Sequence, residues 1–168
     1  DRHREIIDEI RRVGARIKLI SDGDIAAAIA TPLPESNVNI YIGIGGSPEA
    51  LLAAAALKSL GGEIQVKLWP IDENERLKLA EQGYDIEKVY KTDDLIKSDN
   101  VIFAATGVTD GDMLKGVKFY KNTAITESIV MRSRTRTIRR IIAQHNLNYK
   151  TIPLKSSGEI RYINGIRK

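Results

Sequence analysis

The stretch Tyr41-Ile-Gly-Ile-Gly-Gly-Ser-Pro-Glu49 constrains this chain more than any other. Glycines at 43, 45 and 46 let the backbone turn sharply and let a ligand approach without a Cβ in the way. Pro48 suits the first turn of a helix, where its missing N–H leaves nothing unpaired. The following residues, Glu49 to Leu60, hold five alanines, several leucines and a single lysine, a pattern that predicts a helix buried over most of its surface. Strand, glycine turn and helix in succession create a helix start whose free N–H groups suit a phosphate. Glu49 stands in that first turn. It reads either as a partner for the helix dipole or as the holder of a cation that in turn holds a phosphate.

The same order recurs twice. Ala15 to Ile20 reads as a strand, Ser21-Asp-Gly-Asp24 as an acidic turn and Ile25 to Ala30 as a helix, while the apolar run Val101 to Ala105 leads into Thr106-Gly107 and Val108-Thr-Asp-Gly-Asp112. Around these units the spacing predicts a helix over Arg2 to Val13 ended by Gly14, and strands at Val38 to Ile42, Glu63 to Trp69 and near Val89. A charged surface helix runs from Asp72-Glu-Asn-Glu75 to Gly83, and a helical turn spans Asp93 to Lys97. Val117 to Tyr120 and Thr123 to Met131 read as strands joined at Lys121-Asn122. Ile138, Ile141 and Ile142 sit at helical spacing within Thr137 to Gln144, and Tyr149 to Leu154 with Ile160 to Ile163 reads as a closing hairpin. Alternating strands and helices predict a single α/β domain over residues 1–168, with a mostly parallel sheet and helices on both faces. Right-handed crossovers would then line up the turns at 21–24, 43–48 and 106–112 along one sheet edge, where ligands of such folds bind.

Asp22, Asp24 and Glu49, with Asp110 or Asp112, would form an oxygen-rich crevice suited to Mg²⁺ or Mn²⁺ bridging to a substrate phosphate. Each residue also has a plainer reading. Asp22 and Asp24 can serve as an N-cap and an Asx turn, Asp110 and Asp112 as a solvated turn around Gly111, and Arg2 as a surface charge. Other chemistries find less support. The chain has no cysteine and two histidines, which excludes thiolate sites and disfavours histidine relays. Pro48 stands where the dinucleotide fingerprint needs its last glycine, no Walker lysine follows the turn, and Ser47 lies outside a nucleophile-elbow sequence. The net charge of +4 gathers late: from Arg132 onward there are ten basic residues and one acid, Glu159. Few aromatics accompany them, so nucleic acid is disfavoured as a partner, although an interaction domain acting through this basic tail remains a separate reading. No apolar run of membrane-spanning length and no signal peptide is present, and the expected location is the cytoplasm.

These motifs carry a resemblance. Arg2-His3, Ser21-Asp-Gly-Asp-Ile-Ala26, Gly43-Ile-Gly-Gly-Ser-Pro-Glu49, Ala53-Ala-Ala-Ala-Leu57, Leu68-Trp-Pro70, Asp99-Asn-Val-Ile-Phe-Ala-Ala-Thr-Gly-Val-Thr-Asp-Gly-Asp112 and Arg134-Thr-Arg-Thr-Ile-Arg-Arg140 together resemble the class II fructose-1,6-bisphosphatases. The resemblance runs from Asp1 to about Leu147, leaves 148–168 as an unassigned extension, and covers only the C-terminal half of such proteins. It implies the C-terminal layers of an αβαβα sugar-phosphatase fold of the inositol-monophosphatase-like superfamily, assembled as a dimer or tetramer. The implied activity is metal-dependent removal of the 1-phosphate from fructose 1,6-bisphosphate, with sedoheptulose 1,7-bisphosphate as a second substrate, in gluconeogenesis or the Calvin cycle. By the same resemblance Glu49 ligates Mg²⁺ or Mn²⁺, Gly46 lies against the substrate, and Arg2, Asp22, Gly23 and Asp24 contact the sugar bisphosphate. The catalytic groups and remaining metal ligands are expected in an N-terminal half with no counterpart here, so the chain alone is expected to be inactive. The rival reading is a non-catalytic sugar-phosphate or nucleotide binding module.

Overall fold

Alanine dominates the first packed interface of the computed structural model, which describes residues 2–149, 151–156 and 159–164. Helix α2 (Asp24–Ala30) packs on α3 (Ser47–Leu60), and the small side chains Ala28 and Ala53 let the two approach closely around Leu57, with Tyr41 and Ile64 packed against them. Gly61 ends α3 in the left-handed region that an L side chain rarely adopts. The lone lysine of this helix is put to use. Lys58, its side chain 14% exposed, donates to Asp93 Oδ1 at 2.9 Å and to the Ile96 carbonyl at 2.9 Å, and lies 3.3 Å from Asp99 Oδ1. The bond to Asp93 is the main cause holding its pKa above the ordinary lysine value.

The chain forms two compact units, one of residues 1–103 with 132–137, the other of 104–131 with 138–168. The first begins with α1 (Arg4–Arg12), closed by Gly14 at φ +77°, and α1 has no fully buried residue. After α3 come β1 (Gln65–Lys67), α4 (Glu73–Glu81), β2 (Val89–Lys91) and the short α5 (Thr92–Leu95). Asp72 caps α4 by accepting from the Glu75 N–H at 2.8 Å, while the Glu75 carboxylate accepts from the Ile71 N–H at 2.7 Å. This reciprocal pair anchors a helix that buries nothing.

In the second unit β4 (Lys118–Tyr120) and β5 (Thr123–Arg132) form a hairpin, β6 (Thr137–Asn146) pairs with β5, and β3 (Ile102–Thr106) leads in from the first unit to pair with β5. Ala124, Ile129, Met131 and Leu114 supply its core. A final hairpin joins β7 (Thr151–Ser156) to β8 (Glu159–Asn164), as the alternation predicts. No helix among the described residues is long and apolar enough to cross a membrane.

Four expectations change. The mixed α/β content holds, but the sheet is not parallel: β1–β2, β4–β5 and β7–β8 are antiparallel. The Ser133 N–H bonds the Val101 carbonyl while the Gly107 N–H bonds the Glu127 carbonyl, so β3 and β5 also run in opposite directions. Residues 15–20 and 38–42, which alternation marks as strands between helices, join no sheet, because a strand needs a neighbour to pair with. Residues 137–144 form β6 rather than a helix. Their β-branched Thr137, Ile138, Ile141 and Ile142 suit a pleated surface, and the short 133–136 connection brings them back onto β5. Finally, α3 is buried only on its later turns. Leu51 and Leu52 remain 45% and 49% exposed.

Candidate functional site

Within the first unit the backbone from Tyr41 to Gly46 alternates in a way that gathers glycine α-carbons under polar groups. A Cβ on Gly43 would lie 2.9 Å from the Tyr41 hydroxyl, one on Gly45 would lie 3.0 Å from Asp24 Oδ2, and one on Gly46 would overlap Glu49 Oε2. The absent side chains thus leave room for a phenol and two carboxylates over one turn. Asp24 arrives there as the first residue of α2, set by Gly23 at φ +82°, and Glu49 as part of the first turn of α3. The 21–24 and 43–49 turns do meet, although the parallel-sheet edge that predicted it is absent; the pairing of Asp24 with Gly45 and Tyr41 brings them together.

His3, just ahead of α1, fixes the other side. Its Nε2 accepts from the Ile44 N–H at 2.9 Å, which places the ring proton of the neutral imidazole on Nδ1 and ties the chain start to the glycine turn. Arg2 is exposed, and its charge is felt at Tyr41. The Tyr41 hydroxyl is pushed up to about 12, first by burial and then by its hydrogen bond to Asp24, with Arg2 acting the other way. At neutral pH it therefore stays protonated and can donate to Asp24, leaving the rest of that carboxylate able to accept from a bound hydroxyl.

The structure brings Arg2, Asp24, Gly46 and Glu49 to one solvent-facing turn, together with His3 and Tyr41. Asp22 and Gly23 lie in the adjoining turn; Gly23 serves as the helix entry, and its carbonyl accepts from the Ala27 N–H. Among the described residues no group of three or more His, Asp and Glu side chains is placed to hold a metal. The residues present therefore do not make a complete metal site, and Glu49 can offer one carboxylate. Gly43 and Gly45 belong to the glycine turn that the sequence marks, whereas Tyr41 is a participant to which motif reading gave no role. Its signal is period two: Tyr41, Gly43 and Gly45 share one face of an extended run.

The third glycine cluster belongs to the second unit and closes on itself. A Cβ on Gly107 would overlap the Lys115 carbonyl oxygen, and one on Gly116 would lie 2.7 Å from the Thr109 carbonyl carbon. Asp110 Oδ1 accepts from the Gly116 N–H at 2.9 Å, and Glu127 Oε2 from the Lys115 N–H at 2.9 Å. Asp110 here is a turn-closing residue.

Residues 1–145 match the family described as bacterial fructose-1,6-bisphosphatase, glpX-encoded. A fructose-1,6-bisphosphatase class 2 of Haemophilus influenzae is 40% identical over 160 residues, covering 88% of this chain and 48% of the relative. The fructose-1,6-bisphosphatase 1 class 2 of Escherichia coli K12 is 40% identical over 162 residues, covering 89% of this chain and 48% of the relative. The chain spans about half the length of the curated relatives it matches.

Proposed function

The chain belongs to the glpX-encoded bacterial fructose-1,6-bisphosphatase family, and from that premise we propose that it supplies the sugar-phosphate wall and one metal ligand of an enzyme that hydrolyses the 1-phosphate of fructose 1,6-bisphosphate. Relatives matched along most of this chain carry that enzyme name. The observation that carries the assignment to this turn is the seating of Asp24 and Glu49 over Gly45 and Gly46, with Arg2 close enough to influence Tyr41.

Each side chain has a task in this reading. The planar guanidinium of Arg2 suits the oxygen pair of a phosphate. Asp24, steadied by Tyr41, and Asp22 beside it accept from sugar hydroxyls, while Gly46 lets the ligand reach the backbone. Glu49, in the first turn of α3, would be the carboxylate this chain offers to a divalent cation at the phosphate. Mg²⁺ or Mn²⁺ would neutralise charge at the phosphate, with Glu49 as one ligand and the others expected from the half of the family that this chain does not match. Holding the sugar and the distal phosphate in one orientation is the contribution of the residues described here.

Phosphate release from fructose 1,6-bisphosphate in Mg²⁺ or Mn²⁺ tests the reading. This chain alone should release none, and the chain joined behind the N-terminal half of the E. coli relative should release it at a readily measured rate. Turnover by the chain alone at the rate of that relative would overturn the division of labour. A joined protein inert toward this substrate would overturn the activity, and tight metal-independent calorimetric binding by the chain alone would favour the non-catalytic module. Sedoheptulose 1,7-bisphosphate belongs in the same assay as the second substrate.

A further inference from the structure

We infer that His3 is a positioning residue for the hydrolysis: its ring latches the glycine turn at Ile44 and so sets the register between Arg2 and the Gly46–Glu49 end of the site. The inference rests on the reading of this turn given above and adds a residue to which that reading assigns no task.

His3 stands where helix caps stand, immediately ahead of α1, and its carbonyl accepts from the Ile7 N–H at 3.0 Å. Ser, Thr, Asp or Asn in that place would turn a side-chain oxygen onto the free N–H groups of the first turn. The half-buried imidazole makes no such bond. It reaches 41 positions along the chain instead, where Nε2 accepts from the Ile44 N–H at 2.9 Å. Helix entry therefore does not account for the ring.

The bond falls where the turn most needs it. Ile44 is the one residue with a side chain in the run Gly43-Ile-Gly-Gly46, and glycine is the residue whose backbone has most freedom to lose. Among the described residues neither Gly43 nor Gly45 makes a backbone hydrogen bond, while the Gly46 carbonyl accepts from the Ala50 N–H at 3.1 Å as α3 begins. The His3 ring thus holds the middle of the run, and α3 holds its end.

Register is what the latch supplies. Arg2 directly precedes His3, and Gly46 and Glu49 follow closely on Ile44, so one bond couples the segment that offers a guanidinium to the segment that offers a carboxylate. A bound bisphosphate touches both segments at once, and displacing a site group by about 1 Å can cost on the order of 100-fold in rate. Opening the latch leaves in place every group that touches the substrate. Alignment is then lost while most of the binding is kept.

Two variants isolate the bond. His3→Phe keeps a ring and removes the acceptor, whereas His3→Gln removes the ring and offers an amide oxygen in place of Nε2. In the chain joined behind the N-terminal half of the E. coli relative, His3→Phe should lower kcat for fructose 1,6-bisphosphate by about tenfold or more with KM kept within about threefold, and His3→Gln should recover kcat to within about threefold of the parent. In the chain alone, amide hydrogen exchange at Ile44 should be about tenfold or more faster in His3→Phe than in the parent and slow again in His3→Gln. Nitrogen NMR of the parent should find the His3 ring proton on Nδ1. An active joined protein whose kcat is indifferent to His3→Phe overturns the inference and leaves the activity standing, as does a His3→Gln variant as slow as His3→Phe. Ile44 exchange as fast in the parent as in His3→Phe also overturns it. If His3→Phe does not fold, the parent spectrum decides, and a proton on Nε2 with Nδ1 bare overturns the latch. A joined parent inert toward this substrate sinks the proposed activity, and the Ile44 exchange of the chain alone then decides the latch by itself.

Discussion

Two glycine turns, each trailed by carboxylates, look alike in the sequence and use those glycines for opposite ends. At 107–116 the missing side chains make room for the protein's own main chain, and Asp110 is consumed by the Gly116 N–H. At 43–46 they make room for the tips of half-buried Tyr41 and Asp24 and of exposed Glu49. The lesson concerns what a glycine gives up. Where its α-carbon meets backbone, the glycine is a structural requirement; where it meets the mobile end of a functional group, the space is available to a ligand.

The comparison breaks first on stability. Gly107→Ala and Gly116→Ala force a methyl into main chain that cannot step aside, and each should cost about 3 kcal/mol or more in urea unfolding. Gly45→Ala meets only the end of Asp24 and should cost about 1 kcal/mol or less; equal losses at the two turns would erase the distinction. Next comes the carboxylate pair. In the chain joined to its complementary half, Glu49→Gln should lower phosphate release on the order of 100-fold at unchanged stability, since even groups supporting a metal ligand are commonly worth 10–100-fold. Asp110→Ala should do the opposite, lowering stability by about 1–2 kcal/mol through the orphaned Gly116 N–H while activity per folded molecule is kept.

The smallest effect sharpens the role of Tyr41. Its hydroxyl holds its proton to about pH 12 in the folded chain against 10.0 when free, so the unfolded state binds fewer protons across that window. The associated stability is fully present below pH 10 and is lost as pH rises toward 12. Tyr41→Phe should therefore flatten the fall of Tm between pH 10 and 12. A fall as steep as that of the parent would show that the hydroxyl is not held by burial and Asp24.

Much of the local structure was legible. Gly14, Gly61 and Gly83 end helices with positive φ, and Asp72 caps α4 through the residue three positions on, because caps and stops depend on near neighbours in sequence. The site was legible in its motif residues, Arg2, Asp24, Gly46 and Glu49, and the resemblance attached roles to them. His3 and Tyr41 were not, since a bond from His3 to Ile44 spans 41 positions and local spacing carries no trace of it. The isoleucines of β6 misled for a related reason: three apolar residues at 138, 141 and 142 fit a helix face, and only the hairpin with β5 chooses the strand.

The sequence by itself determined the alanine-rich helix, the glycine turn at its start, the acids on either side and the family, all of which follow from residue type at short range. Only the tertiary structure decided that the pairings are antiparallel, that Asp24 reaches the turn of Glu49, and that residues 15–20 and 38–42 join no sheet among the described residues. Those outcomes depend on which distant segment is present to complete a hydrogen-bond ladder or cover an apolar face, and a backbone group carries no local record of its partner.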